Sequence, residues 1–260
     1  MVFGHKGCGD VPENTLMSFD KGLKDGADVL EMDLRMTKDG VIVVMHDAFL
    51  EGQTNATGWV RNLTVAQLKK LDAGYRFSPD GGETFPFRGQ GCTVPTLEEV
   101  FKRYPCVKMN IDLKTRNPLM AKKVVDLLIK YHRADITITG SFWHNNVRRL
   151  REEMKKRCVN DITCASSDEV QDDILSANAK VPPLASPLKV FQVPPYHQGI
   201  QVITGEFVKR AHANGRYVTP WTINDEKEME SLLKLGVDGI VTDRPALARK
   251  VIEKFIQSRP

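Results

Sequence analysis

His5, Glu31, Asp33 and His46 are the residues of this chain whose types and spacing best suit chemistry. They fall in the run HKGCGDVPENTLMSF and the following GADVLEMDLRMTKDGVIVVMHD, with Lys6 next to the first histidine. Histidines exchange protons near neutral pH, carboxylates hold a hard cation, and an ammonium meets the charge of a phosphate. Together they suit the cation-assisted cleavage of a phosphate ester. VLEMDL alternates like a strand, so Glu31 and Asp33 point to one face. Two inward-facing carboxylates repel each other and are costly to bury without a cation. The bland alternative is an edge strand with both acids in solvent. The apolar Leu30, Met32 and Leu34 argue against it and for the wall of a functional cavity.

Such residues need a scaffold that brings them together. At 260 residues, 41% hydrophobic and 27% charged, the chain has the composition of a soluble globular protein with a full core. A net charge of +4, evenly spread, accords with an anionic substrate and does not argue for nucleic acid. No apolar run reaches membrane-spanning length, and no signal peptide is evident. The chain as given reads as soluble, cytoplasmic or peripheral to a membrane. Its five cysteines form no CxxC, which argues against a zinc site. Free thiols in a reducing compartment are the reading, with a Cys92–Cys106 bridge as the alternative. NAT at Asn55 and NLT at Asn62 match the glycosylation pattern, a match common by chance.

Strand and helix patterns alternate along the whole length. VFGH, VLEMDL, VKMNIDLK, ITITG, DITCAS, VFQV, RYVTPWT and DGIVTD read as eight strands, each with a helix or helical segment after it. PENTLMSFDKGLKDG reads as the first helix, opened by Pro12 and closed by Gly26. After strand two, TKDG turns and VIVVMH runs extended to His46. Residues 47–95 then break the rhythm as a Gly/Thr/Asn/Pro-rich insertion with one short helix at LTVAQLKKL. Eight such units in a chain of this length predict a single-domain (β/α)₈ barrel over residues 1–260 with a small insertion after strand two. An open doubly wound sheet would carry GxGxxG after its first strand, and HKGCGDV lacks it.

Barrel chemistry sits at the C-terminal ends of the strands. There the reading places His5, Glu31 and Asp33, the pair Asp112 and Lys114 on one face of strand three, Trp221 and Asn224 after strand seven, and Asp243 at the end of strand eight. His46 closes the extension after strand two.

HKG, PENT, EMD, TKDG, HD, NIDLK, PWTIN and GVDGIVTDRP, in that order, resemble the signatures of the glycerophosphodiester phosphodiesterase family, over essentially the whole chain. The resemblance implies a TIM barrel and metal-dependent hydrolysis of glycerophosphodiesters to glycerol 3-phosphate and an alcohol. It implies His5 and His46 as the acid/base pair and Glu31, Asp33 and Asp112 as ligands of one divalent cation, Mg2+ or Ca2+. Lys114 and Lys6 would contact phosphate. VPTLEEVFKRYPCVKMNIDLKT looks closest to the lysophospholipase D branch, which cleaves lysophospholipids to lysophosphatidic acid. Three features depart from the family pattern. Lys6 stands where arginine is usual, so a bidentate fork becomes a point charge. Glu51-Gly52-Gln53-Thr54 replaces a stretch that usually contains Arg-Thr-Thr. Asp112 is one methylene shorter than the usual glutamate.

The rivals are a non-catalytic phospholipid-binding barrel and a sphingomyelinase D-like phospholipase. The first predicts a lost histidine or ligand, the second the absence of PENT. The remaining histidines, His132, His144, His197 and His212, receive no chemistry. Glu13 and Asn14 are expected to cap or orient. Trp221 either stacks on substrate or fills the barrel mouth. The apolar residues Leu184, Leu188, Val190, Phe191, Val193 and Tyr196 of the proline-rich 181–196 stretch are expected to include a rim for an acyl chain or a membrane surface.

Overall fold

The computed structural model describes residues 1–160, 162–183 and 185–258. In chain order the elements are β1 (Val2–Gly4), α1 (Leu16–Lys24), β2 (Val29–Met36), β3 (Ile42–Val44), α2 (Val65–Leu68), α3 (Leu97–Arg103), β4 (Lys108–Leu113), α4 (Leu119–Lys130), β5 (Thr137–Gly140) and α5 (His144–Lys156). There follow α6 (Ser167–Asn178), β6 (Val190–Phe191), β7 (Tyr196–His197), β8 (Ile200–Gln201), α7 (Gly205–Ala213), β9 (Tyr217–Val218), α8 (Glu226–Leu235), β10 (Ile240–Thr242) and α9 (Pro245–Gln257).

Apolar runs with period two build the inner ring. β10, β1, β2, β4 and β5 pair in that order, all parallel. The fifth stave is short: among the described residues it is marked by the bridges Thr163 to Thr139 and Cys164 to Val190. β6 pairs with β9, and Asp238 N→Val218 O and Val241 N→Pro220 O, each 2.9 Å, close the ring. The expected (β/α)₈ barrel is therefore present, as eight parallel staves. Phe3, Val29 and Val241, with Ile138 and Trp221 against them, pack as one apolar cluster of strand residues. Larger apolar layers such as Leu30, Met32 and Leu34 against Val124 and Leu128 join strands to the surrounding helices.

The helices start where the sequence supplies caps. Thr96 and Ser166 make capping boxes with Glu99 and Glu169, and Thr204 and Asp225 accept from the third residue onward. α1 starts later than Pro12 suggests. Thr15 is its N-cap, accepting from Ser18 N, and Asn14 before it has φ +56° and cannot belong to a right-handed helix. β3 folds back antiparallel on β2, so TKDG is the turn of a hairpin rising from the barrel rim. The insertion has its own small core of Met45, Leu50, Val60, Leu68, Ala73, Cys92 and Val94. All five cysteines are free thiols.

The proline-rich stretch is corrected in part. Residues 181–183 and 185–189 precede β6 and therefore lie at the N-terminal end of the barrel, away from the mouth. Leu188, Val190, Phe191 and Val193 are core residues packed with Phe207 and Val218, and Leu184 lies outside the described residues. The apolar groups that do stand at the mouth come after strands. They are Tyr196 and Ile200 on the exposed β7–β8 hairpin, Phe142 after β5, Leu119 after β4 and Phe49 in the insertion.

Candidate active site

The site begins with strand register. Asp33 of β2 lies directly beside Asp112 of β4, and Glu31 beside Asn110. Glu31 and Asp33 are buried. Asn14 holds Asp33 by both ends of its amide, donating to Oδ2 at 3.0 Å and accepting from the backbone N–H at 3.2 Å. That is the orienting role expected of PENT, and it accounts for the left-handed turn at Asn14. Glu31 Oε2 accepts from the backbone N–H of Lys6 at 2.8 Å.

The Lys6 contact depends on glycine. Gly7 has φ +96°, and a Cβ there would lie 2.3 Å from Ser18 Oγ and 2.6 Å from the Ser18 carbonyl carbon. Gly22 in α1 lets the helix approach, since a Cβ on it would stand 2.5 Å from the Gly7 carbonyl oxygen. The HKG turn is thereby pressed onto α1, with Lys6 itself at φ +50°.

Each proposed catalytic histidine is anchored by a carboxylate. His5 Nδ1 is 2.7 Å from Asp243 Oδ1, and His46 Nδ1 is 2.8 Å from Asp47 Oδ1. An acceptor at Nδ1 places the proton there and leaves Nε2 to serve a substrate. Asp243 is held in turn by Asn224, which donates to Oδ2 at 2.6 Å and accepts from the Asp243 N–H and the Thr242 hydroxyl, both at 2.9 Å. Burial pulls the His5 pKa down, but the Asp243 hydrogen bond and the Glu31 charge outweigh it, and the net shift is upward. Burial pushes Asp243 up, and the His5 contact reverses it to a net lowering.

The acids feel one another. Burial first, then the charge of Asp33, lifts Glu31 to about 7. Burial also lifts Asp112, with Lys114 opposing. Lys114 Nζ stands 2.7 Å from Asp112 Oδ2 and 3.4 Å from Asp33 Oδ1, so it is engaged by the acids rather than left free for phosphate. Lys6 Nζ is likewise paired, with Glu13 at 2.9 Å. Among the described residues the trio with ligand atoms already within 4.8 Å of one another is Cys8, Asp10 and Asp25, with Lys21 paired to both of its acids. Glu31, Asp33 and Asp112 are not drawn together that tightly, because an ammonium lies between two of them. Trp221 is half-buried, meets Phe142 edge-on at 5.7 Å and packs against the Phe3, Val29 and Val241 cluster, so it lines the mouth while covering the apolar strand cluster.

Two contributions were not assigned from sequence. Asp243 and Asn224 were placed at strand ends without a role, because neither lies near a histidine in sequence. Arg35 is a further residue to which the sequence analysis assigns no role. It follows Asp33 by two residues on β2, so the period that pairs Glu31 with Asp33 also turns Arg35 to that face. It is half-buried and donates to the carbonyls of His46 and Lys114.

A closed barrel thus carries two carboxylate-anchored histidines and a set of acids at the C-terminal ends of its strands. The chain belongs to the glycerophosphoryl diester phosphodiesterase family, whose model matches residues 5–247. It is a phosphoric diester hydrolase. A Bacillus altitudinis protein named glycerophosphodiester phosphodiesterase is 32% identical over 264 residues, spanning 98% of each chain. The Homo sapiens lysophospholipase D is 26% identical, over 96% of this chain and 84% of its own. An Oleispira antarctica phosphodiesterase, solved in complex with the product sn-glycerol-3-phosphate, shares the fold with a TM-score of 0.74 at 24% identity, covering 97% of this chain and 96% of its own.

Proposed function

We propose that this chain hydrolyses glycerophosphodiesters with His5 and His46 as the proton-transferring pair and with one divalent cation, Mg2+ or Ca2+, held by Glu31, Asp33 and Asp112. The observation that carries the reading is the charge balance of the β2–β4 face. Three carboxylates meet there, Lys114 pairs with two of them, the nearby Arg35 guanidinium gives its hydrogen bonds to carbonyls, and Asp112 Oδ1 is buried without a hydrogen-bond partner among the described residues. A buried anion in that state calls for a cation, and all-oxygen donors suit a hard one. The residues therefore fit the ion the family resemblance implies. When bound, it would supply Lewis-acid polarisation of the phosphate. Lys114 and Lys6 would supply positive charge to the phosphate. His5 and His46 present Nε2, one to take the proton of the attacking hydroxyl or water, the other to protonate the leaving oxygen.

The test is hydrolysis of glycerophosphocholine with added Mg2+ or Ca2+ and with excess chelator. Activity should need the cation and should fall on the order of 10²–10⁴-fold in His5→Ala and His46→Ala. Full turnover in chelator, or a His46→Ala protein with near-parental kcat, overturns the assignment.

One observation favours a second reading of the substrate, a lysophospholipid. Tyr196 and Ile200 are 61% and 68% exposed on the hairpin at the mouth. They provide apolar area for an acyl chain or a membrane surface, at ~0.8 kcal/mol per buried CH₂. On this reading kcat/KM for lysophosphatidylcholine exceeds that for glycerophosphocholine below the micelle concentration. Tyr196→Ser with Ile200→Ser narrows the gap. Equal or reversed preference returns the chain to small diesters.

A further inference from the structure

Arg35 occupies a place that neither the acids nor the histidines explain. Beyond its pairing with β1, the C-terminal part of β2 is flanked by antiparallel β3 and parallel β4. The β3 side of the ladder ends with Met45 N→Asp33 O at 2.8 Å, and the β4 side with Lys114 N→Leu34 O at 3.0 Å. His46 and Lys114 are thus the residues at which each flanking strand leaves β2, and their carbonyls are the next backbone acceptors. Arg35 takes both. Nε donates to His46 O at 2.9 Å, Nη2 donates to the same oxygen at 2.5 Å, and Nη1 donates to Lys114 O. One planar fork ties the backbone of the second histidine to that of the lysine between the acids.

The choice of partners is informative. Asp33, Asp47 and Asp112 are close enough to act on the guanidinium electrostatically, yet among the described residues no ion pair of Arg35 is formed. Its three directed bonds go to carbonyls instead. A residue kept only to neutralise the acids would be expected to bond to them.

We propose that Arg35 is a positioning residue. It fixes His46 and Lys114 relative to Asp33 and Asp112, so that the proton-transferring ring and the ammonium reach the phosphate together. Lysine cannot replace it, because one nitrogen on a flexible stem cannot span two carbonyls in a fixed plane. Small misplacement of reacting groups costs about 10²-fold in rate. The inference rests on the proposed diesterase reaction, so its test starts from a parent protein shown to turn over glycerophosphocholine. Absence of parental activity would count against that reaction and not against the role of Arg35.

The variants are Arg35→Lys and Arg35→Ala. Arg35→Lys should lose roughly 10-fold or more in kcat while KM changes by less than about threefold, because the groups are mispositioned and the binding surface remains. Arg35→Ala should lose more and should regain several-fold activity on addition of guanidinium, with no regain from ammonium at equal ionic strength. Amide exchange of the segment after β3 should quicken in both, while that of β1 stays unchanged. If Arg35→Ala fails to fold, Arg35→Lys decides. Arg35→Lys turnover within twofold of the parent, or a loss that appears wholly in KM, overturns the proposal.

Discussion

His5 and Asp243 are 238 positions apart and meet at 2.7 Å, with Asn224 fixing the carboxylate from its other side. If that contact fixes the ring, Asp243→Asn should leave the fold intact and lower kcat by about 10²–10⁴-fold, the range for a lost acid or base. The His5 limb of the pH–rate profile should move to lower pH, because the raising influence of Asp243 on His5 is removed. An unmoved limb with an unchanged kcat would show that the contact is passive. At this scale much of the candidate site was legible. Glu31 with Asp33, and Asp112 with Lys114, are each two apart, and period two puts them on one face. The same spacing puts Arg35 on that face, but spacing alone does not show that its hydrogen bonds go to carbonyls rather than to the acids. The Asp243 and Asn224 contacts were not legible, since only closure of the ring brings strand eight beside strand one.

At the scale of elements, the HKG turn and α1 form one packed unit, and the site depends on their approach. Gly7→Ala places a Cβ against Ser18 backbone at a left-handed φ. It should cost roughly 1–3 kcal/mol of stability and weaken the Lys6 N–H to Glu31 contact, so that cation affinity falls along with the melting temperature. A Gly7→Ala protein with parental melting and parental cation affinity would show that the turn has slack. Leu188→Ser separates the two ends of the barrel. Leu188 is a core residue of the β6 side, so the substitution should cost on the order of 2–5 kcal/mol and leave the ratio of lysophospholipid to diester turnover unchanged. A changed ratio would place that segment at the mouth after all. In the proline-rich run, apolar content does not say at which end of a strand a residue such as Leu188 stands. Only the start of β6 at Val190 does that. The helices were read better, since caps such as Thr96 with Glu99 are local.

For the molecule as a whole, the buried acids of the proposed ion site set a pH dependence of stability. Glu31, lifted to about 7 by burial and by Asp33, is charged at a cost in the folded chain that the unfolded chain does not bear. A carboxyl whose folded pKa is raised binds more protons folded than unfolded, so stability falls as pH rises from the unfolded value toward the folded one. Asp112 is raised and acts in the same direction. His5 is raised too: its contribution is complete below its unfolded pKa and is lost as pH rises through the folded one. Asp243 is lowered, so its contribution is present above the ordinary carboxylate value and is lost only in stronger acid, outside this window. Cation-free protein should therefore melt at a lower temperature at pH 8 than at pH 5.5. With the proposed ligand set, a divalent ion would compete with protons for the same carboxylates, so its stabilising increment should be the larger at pH 8. At 100 times Kd the increment is about 2.7 kcal/mol, and at ~2–4 °C per kcal/mol for a chain near this size the melting temperature should rise by roughly 5–11 °C. Glu31→Gln should flatten the pH dependence and remove most of the increment. Melting scans at both pH values, with chelator and then with Mg2+ or Ca2+, measure this without any substrate. A cation increment equal at the two pH values, or one retained in full by Glu31→Gln, would place the ion somewhere other than the β2–β4 face.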